Sequence, residues 1–359
     1  MQPMDLDDLD RFKQLDTQDM LAEIDGLPDQ LERAWALGQS LPLPASAGGS
    51  FSSAVIAGMG GSAIGGDLVK AWSASRTKIP ILVHRDYGLP AFAEGNQVLV
   101  VASTHSGETE ETLDAFATGV GRHCTLVAVA TGGSLAQNAR DKGASVWEFK
   151  HAGQPRAAIG FSFGLLLALF SRLGLVPNAE ADLQEALQAM RKMQPNLKAQ
   201  IEAAQNPAKR YAGQLMGRWV TVFAAGMMQP VARRLKTQIN EIAKAGANFE
   251  FLPEADHNAL AGTVHPDEVL MPHCMNLFVR SPSDDPRNRR RLDLTKQAYM
   301  LEGLNTDFLD ARGRGPLANM WTMILFGDYM AYYLAMAYGV DPTAVSALVS
   351  FKETMKRKG

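Results

Sequence analysis

Apolar residues along the chain follow two spacings, and their alternation predicts the fold class. Short apolar runs at 55–57, 79–84, 98–102, 125–130 and 146–149 read as strands. Between them, apolar positions recur every three or four residues, the spacing of a helix with one buried face. Near-continuous apolar strands alternating with helices indicate a parallel sheet covered on both sides. The order begins again with a strand at 219–226 and a helix at about 228–244, and further strands are expected at 249–252, 277–279 and 307–309. The reading is α/β: two similar lobes, each a mostly parallel sheet flanked by helices.

Other segments fill in the layout. Met20, Ile24, Leu31, Ala34 and Leu37, with Pro28 interrupting, predict a pair of N-terminal helices before a Pro- and Gly-containing loop at 41–50. Residues 155–175 read as a buried helix and 178–207 as a polar amphipathic connector. Long helices are expected at about 316–338 and 342–357, with Asp341-Pro342 as the N-cap and first-turn signal of the second. The expected divisions are N-terminal helices at 1–50, a first lobe at 51–180, and a second lobe with C-terminal helices at 181–359.

The first strand breaks into glycines: Gly58-Met59-Gly60-Gly61-Ser62-Ala63-Ile64-Gly65-Gly66-Asp67. Such a strand–turn–helix leaves the first N–H groups of the helix without internal partners, and the helix dipole adds partial positive charge there, so a phosphate is the natural occupant. Ser62 adds a small hydroxyl donor. Three readings compete. Gly58, Gly60 and Ala63 also satisfy the loose dinucleotide pattern, with Asp86 as the ribose acid. A glycine turn that merely lets strand and helix pack closely is the plainest. A P-loop is excluded, because no Lys-Ser/Thr pair follows the glycines.

The strand at 98–102 runs into Ser103-Thr104-His105-Ser106-Gly107-Glu108-Thr109 and a helix starting at Glu110. Crevices at the carboxyl ends of parallel strands hold ligands. Thr104, Ser106 and Thr109 would bring hydroxyls to the same anion as Ser62, which a phosphate site without lysine requires and a dinucleotide fold does not. A Ser/Thr-x-x-Glu helix cap would use the same residues and stays open.

The 359 residues suit two domains, and a composition of 46% apolar and 20% charged residues excludes disorder. A net charge of −3 gives no field for nucleic acid, and the basic cluster 287–291 reads as a solvated helix start. Cys124 and Cys274, far apart and in no C-x-x-C pair, point to a reduced, cytoplasmic protein and to small buried side chains. The acidic N-terminus has no secretory core, and the longest apolar run, 157–170, is too short and too interrupted to span a bilayer, so no membrane partner is expected.

Gly60-Gly61-Ser62 together with Thr104-x-Ser106-Gly107-x-Thr109 resembles the sugar isomerase (SIS) domain, which binds phosphosugars. The first glycine motif is similar to that of the bifunctional phosphoglucose/phosphomannose isomerases. Pro155-Arg156-Ala157-Ala158-Ile159-Gly160 resembles that family's active-site arginine motif, and Asn240-Glu241-Ile242-Ala243-Lys244 with Leu252-Pro253-Glu254-Ala255-Asp256-His257-Asn258 resembles its Glu…His pair. Asp341-Pro342-Thr343-Ala344-Val345 with Lys352 resembles its C-terminal lysine segment. The matches run in the family's order from about residue 55 to 352. Thr104 where serine is common, His105 and Glu108 inside the cradle, and Ala344 where proline is common depart from it.

The resemblance implies two SIS-like lobes and an aldose–ketose isomerase acting on glucose 6-phosphate or mannose 6-phosphate and fructose 6-phosphate through an enediol. It implies Glu241 as the base between C1 and C2, His257 for ring opening, Lys352 as a second ring-opening group or a charge stabiliser, and Arg156 to hold the enediolate or a sugar oxygen. Gly60, Gly61, Ser62, Thr104, Ser106 and Thr109 would hold the phosphate, and Thr343 would leave room for either C2 epimer. It also implies a homodimer in which the histidine comes from the partner, and neither cofactor nor metal; His265, His273 and Cys274 match no zinc spacing. Two rivals remain: a non-catalytic phosphosugar sensor and a nicotinamide-dependent dehydrogenase.

Overall fold

The structure, a computed structural model, describes residues 5–45 and 48–356. The chain opens with three helices, α1 (Leu9–Leu15), α2 (Met20–Asp25) and α3 (Leu27–Ser40). The expected pair is α2 and α3, with Pro28 inside the first turn of α3, where its missing N–H is no loss. A first α/β unit follows: β1 (Ser53–Ala57), α4 (Gly60–Ser73), β2 (Ile81–His84), β3 (Val98–Ser103), α5 (Glu110–Gly121), β4 (Thr125–Ala130), α6 (Gly133–Asp141), β5 (Ser145–Glu148) and α7 (Ile159–Arg172). The connector forms α8 (Glu180–Met193) and α9 (Pro207–Leu215). The second unit contains β6 (Trp219–Ala225), α10 (Gln229–Glu241), β7 (Ala247–Leu252), α11 (Asp267–His273), β8 (Cys274–Arg280), α12 (Pro286–Leu301) and β9 (Asn305–Asp310), followed by α13 (Pro316–Tyr338) and α14 (Ser346–Lys356).

Both sheets are wholly parallel. The first has strand order β2-β1-β3-β4-β5 and the second β7-β6-β8-β9, so the first four strands of each unit are wound alike. Every residue of β1, β3 and β4 is buried, as a sheet with helices on both faces demands. The dinucleotide fold orders its strands 3-2-1-4-5-6, which this sheet does not reproduce. In each sheet the order reverses beside the unit's first strand, at β1/β3 and at β6/β8. Ligand crevices form at such points.

One apolar core joins the units. α7 is buried from Ile159 to Phe170 and α13 from Leu317 to Ala337, and the Phe163 and Trp321 rings meet edge-on at 5.2 Å. α13 is 23 residues long, yet its apolar surface is spent on neighbours within the chain, and among the described residues no helix is long and apolar enough to cross a membrane.

The last helix starts later than expected. Asp341 caps a turn, accepting from the Thr343 and Ala344 N–H groups at 2.7 and 3.4 Å, but α14 begins only at Ser346. The carbonyls of residues 341–343 are bound by cationic side chains, which leaves them unavailable to a helix ladder. Residue 357, the expected end of this helix, lies outside the described residues, as do parts of the expected segments at 1–50 and 41–50.

Candidate active site

Two turns meet at the β1/β3 switch point. A Cβ at Gly58 would stand 2.5 Å from the Ser103 carbonyl, so the ends of β1 and β3 touch. Gly60, at φ +49°, opens α4, whose N-cap position, Met59, offers no side-chain acceptor, and the N–H groups of Gly60, Gly61 and Ser62 remain at the helix mouth. Ser62 is buried, whereas Gly60 and Ser106 are exposed.

The second turn does not cap α5. Thr109 sits at the N-cap position without a side-chain cap bond, and its hydroxyl lies 2.6 Å from that of buried Thr104. Two hydroxyls sharing one hydrogen bond leave one proton to donate elsewhere. The Ser106 hydroxyl accepts from the Glu108 N–H at 3.1 Å and keeps its own proton. Gly107, at φ +74°, shapes the turn, because any Cβ there would fall 2.0 Å from the Gly132 carbonyl.

Arg156 stands behind the glycine turn. It lies in a single 3-10 turn, Pro155–Ala157, and a Cβ at Gly61 would come within 3.1 Å of the Pro155 carbonyl and 3.8 Å of the Arg156 Cα. Buried Gln30 of α3 clamps this turn, donating to the Ala157 carbonyl at 3.0 Å and accepting from the Gly160 N–H at 2.8 Å. The Arg156 guanidinium is 5% exposed. It faces the Glu241 carboxylate at 3.7 Å and donates to the carbonyls of Pro342, at 3.3 Å, and Thr343. Burial lowers its pKa and Glu241 opposes the shift.

Glu241 ends α10, so the second unit delivers its carboxylate to Arg156, behind the first unit's glycine turn. Lys244, at φ +54°, follows it. The residue is exposed, and its ammonium donates to three carbonyls, those of Glu241, Ile242 and Asp341, at 3.0, 3.1 and 2.5 Å. Burial, then Arg156, pushes its pKa down to about 8, against Asp341 and Glu241. Thr343 is buried, and its hydroxyl has no hydrogen-bond partner among the described residues.

One chain therefore gathers Arg156, Glu241, Lys244 and Thr343 beside Gly61. It does not gather His257 or Lys352. His257 is exposed on the turn after β7, Lys352 is exposed on α14, and neither bonds to the cluster among the described residues. Gln30 and Lys244 escaped the sequence reading. Lys244 stood inside a quoted motif; Gln30 gives no local signal, because its partners are about 130 residues away. Cys124 and Cys274 are free, only partly buried rather than fully so, and burial pushes both thiols up, away from nucleophilic use.

A relative from Caldicellulosiruptor bescii, a bifunctional phosphoglucose/phosphomannose isomerase, is 34% identical over 94% of this chain and 98% of its own length. The chain belongs to the bifunctional phosphoglucose/phosphomannose isomerase family. The Aquifex aeolicus relative of the same name is 30% identical over 86% of this chain and 91% of its own. Residues 204–355 of this isomerase match the model of the bacterial phospho-glucose isomerase C-terminal SIS domain. The tagatose-6-phosphate ketose/aldose isomerase of Escherichia coli shares the fold, with a TM-score of 0.69 at 16% identity over 90% of this chain and 94% of that one. Family membership and sheet order together set aside the dehydrogenase reading.

Proposed function

We propose that this isomerase interconverts glucose 6-phosphate or mannose 6-phosphate with fructose 6-phosphate through an enediol. The observation that carries the reading is the Glu241 carboxylate, presented at 3.7 Å to a buried guanidinium that backs onto Gly61. A phosphate at the mouth of α4, held by Ser62, Thr104, Ser106 and Thr109 with the Gly60 and Gly61 amides, extends the sugar toward that carboxylate. Glu241 takes the C2 proton and returns it to C1, and Arg156 offsets the enediolate charge as it develops. The unpartnered Thr343 hydroxyl beside Arg156 is a small group against which either C2 epimer fits.

His257 and Lys352 join the site in a homodimer. Their exposure in one chain supports this, as does α14, which leaves Leu348, Val349, Phe351 and Met355 47% or more in water, a state that association relieves. Assays with both hexose 6-phosphates test the base: Glu241→Gln should lower kcat by roughly 10²–10⁴-fold, and equal activity in the two proteins would refute it. Mixing Glu241→Gln with His257→Ala subunits should restore activity that neither shows alone. No restoration would place both groups in one subunit's site.

A further inference from the structure

A chain of hydrogen bonds runs from the phosphate cradle to the N-terminal helices. His105, between Thr104 and Ser106, has its Nε2 2.9 Å from Nδ1 of His151, and His151 Nε2 lies 3.1 Å from the Glu23 carboxylate of α2. The rings of His105 and His151 cross at 87° and pack on Phe149 and Phe161. A Cβ at Gly153 would fall 2.2 Å from Glu23 Oε1, so the backbone after His151 closes over the carboxylate. Three ionisable side chains from distant segments, shielded by aromatic rings, are aimed at one another and end in the cradle.

The chemistry fixes the direction of the protons. The His151 bond holds the Glu23 carboxyl below its usual range, so Glu23 is an ionised acceptor. It accepts a hydrogen bond from His151 Nε2–H, and in that neutral tautomer His151 Nδ1 accepts from His105 Nε2–H, leaving His105 Nδ1 with its lone pair. Burial, then His151, pushes His105 down to about 4, and Glu23 opposes the shift. Arg33 of α3 is the other charged group acting on Glu23. Without ligand at neutral pH, His105 is therefore uncharged. The cradle is short of positive charge: residues 58–62 and 103–109 contain no lysine or arginine, and Arg156 is turned to Glu241 and the 342–343 carbonyls.

We propose that a phosphate dianion in the cradle draws one proton onto the His105–His151 pair, which then serves as the cradle's conditional cation. The inference rests on the cradle reading above. A proton from solvent binds His105 Nδ1, the His105 Nε2 proton passes to His151 Nδ1, and the charge settles as an imidazolium beside the Glu23 carboxylate. One proton enters at His105 Nδ1, the His105 Nε2–H bond breaks as the His151 Nδ1–H bond forms, and the added positive charge exists only while the anion does.

Inorganic sulfate, a dianion that does not titrate near neutrality, separates the claims. In the wild-type protein at pH 7, sulfate should move the His105 and His151 imidazole nitrogen resonances toward the protonated form. Calorimetry in two buffers of different ionisation enthalpy should show uptake of roughly half a proton per chain. Glu23→Gln should cut that uptake at least threefold and raise KM for fructose 6-phosphate about threefold to tenfold, with kcat within twofold. If sulfate competes with fructose 6-phosphate but neither resonances nor uptake change, the relay is wrong and the cradle stands. If sulfate does not compete, the cradle reading fails and the relay with it.

Discussion

The two α/β units of this isomerase are wound alike, yet among the described residues the hydroxyl-rich turn is left open in the first and closed in the second. After β3, the hydroxyls of Thr104 and Thr109 bond, among the described residues, only to each other, and the Ser106 hydroxyl accepts from the Glu108 N–H and keeps its own proton. After β8, the strand at the matching place in the second sheet, Ser281 and Ser283 both donate to the Asn319 side chain, and Ser281 N–H is taken by Asp284. Burial pushes Asp284 up to about 6. The same topology thus yields a turn open to a ligand in one unit and a self-satisfied turn in the other. The helices that follow β1 and β6 divide the labour as well. α4 contributes its N-terminus and α10 its C-terminal carboxylate, and the two meet at Arg156. At their other ends, Asp67, Lys70 and Ala71 of α4 and Gln229 and Arg233 of α10 line a cleft of about 450 Å³ whose carboxylate, Asp67, is held by Arg85 and, at 3.5 Å, by Arg233. A switch point is therefore permission for a site, and the polar groups left unsatisfied there decide whether one exists.

The seams behind these helices differ too, and the largest expected effect lies there. α4 meets α7 through small residues, with Gly65 so close to Ser162 that a Cβ would stand 2.8 Å from its backbone. α10 meets α13 through Arg234 and Asp328, an ion pair at 2.8 Å with both side chains under 5% exposed. Removing one partner of such a pair leaves a buried charge, so Arg234→Met should lower unfolding free energy by about 3–5 kcal/mol in urea titrations. Burial already pushes Asp328 above its usual range, and the variant strengthens that. A folded-state pKa above the unfolded one means stability falls as pH rises, so the deficit should be smaller at pH 5 than at pH 7. A variant as stable as wild type would show that the second seam does not depend on its charges.

Next in size is a direct contrast of the two turns. Ser62→Ala with Thr109→Val should raise KM for fructose 6-phosphate by roughly 10–100-fold, the effect of one or two hydrogen bonds to a charged group. Ser281→Ala with Ser283→Ala should leave KM within twofold and lower stability by about 1–2 kcal/mol, because those hydroxyls serve the fold. Equal KM effects in the two double variants would erase the distinction between open and closed turns.

Most of the fold could be read in the sequence because short apolar runs have one use in a chain of this kind. The strand at 125–130 coincides with β4, and those at 98–102 and 219–226 differ from β3 and β6 by one residue at an end. The runs at 277–279 and 307–309 were short of β8 and β9, whose ends carry Cys274, Asn276, Asn305 and Asp310, polar residues that belong to strands only through neighbours. The glycine and hydroxyl turns were legible as local motifs. Whether the hydroxyls capped a helix or faced a crevice was not, because that depends on the Thr104–Thr109 bond. Gln30, Lys244 and the Glu23–His151–His105 chain were illegible for the same reason: each acquires meaning only from a partner that folding brings near.

Lys244 offers the smallest effect and the finest test of how the second unit presents its carboxylate. Its ammonium has three protons and three carbonyl partners, one of them on the turn that Arg156 also grips. With a pKa near 8, it becomes an amine with two protons just above neutrality, and one carbonyl must lose its donor. Activity should fall a few-fold between pH 8 and 9.5 with a single-proton dependence. Lys244→Arg, whose guanidinium stays charged, should remove that limb even if its plateau is lower. Stability must move the other way: the folded pKa lies below the unfolded value of 10.5, so the unfolded chain binds more protons above pH 8 and this group favours folding as pH rises. Urea midpoints for wild type relative to Lys244→Arg should therefore rise over the window in which relative activity drops. Parallel losses of both would instead signal general unfolding and deny Lys244 any part in holding Glu241 to Arg156.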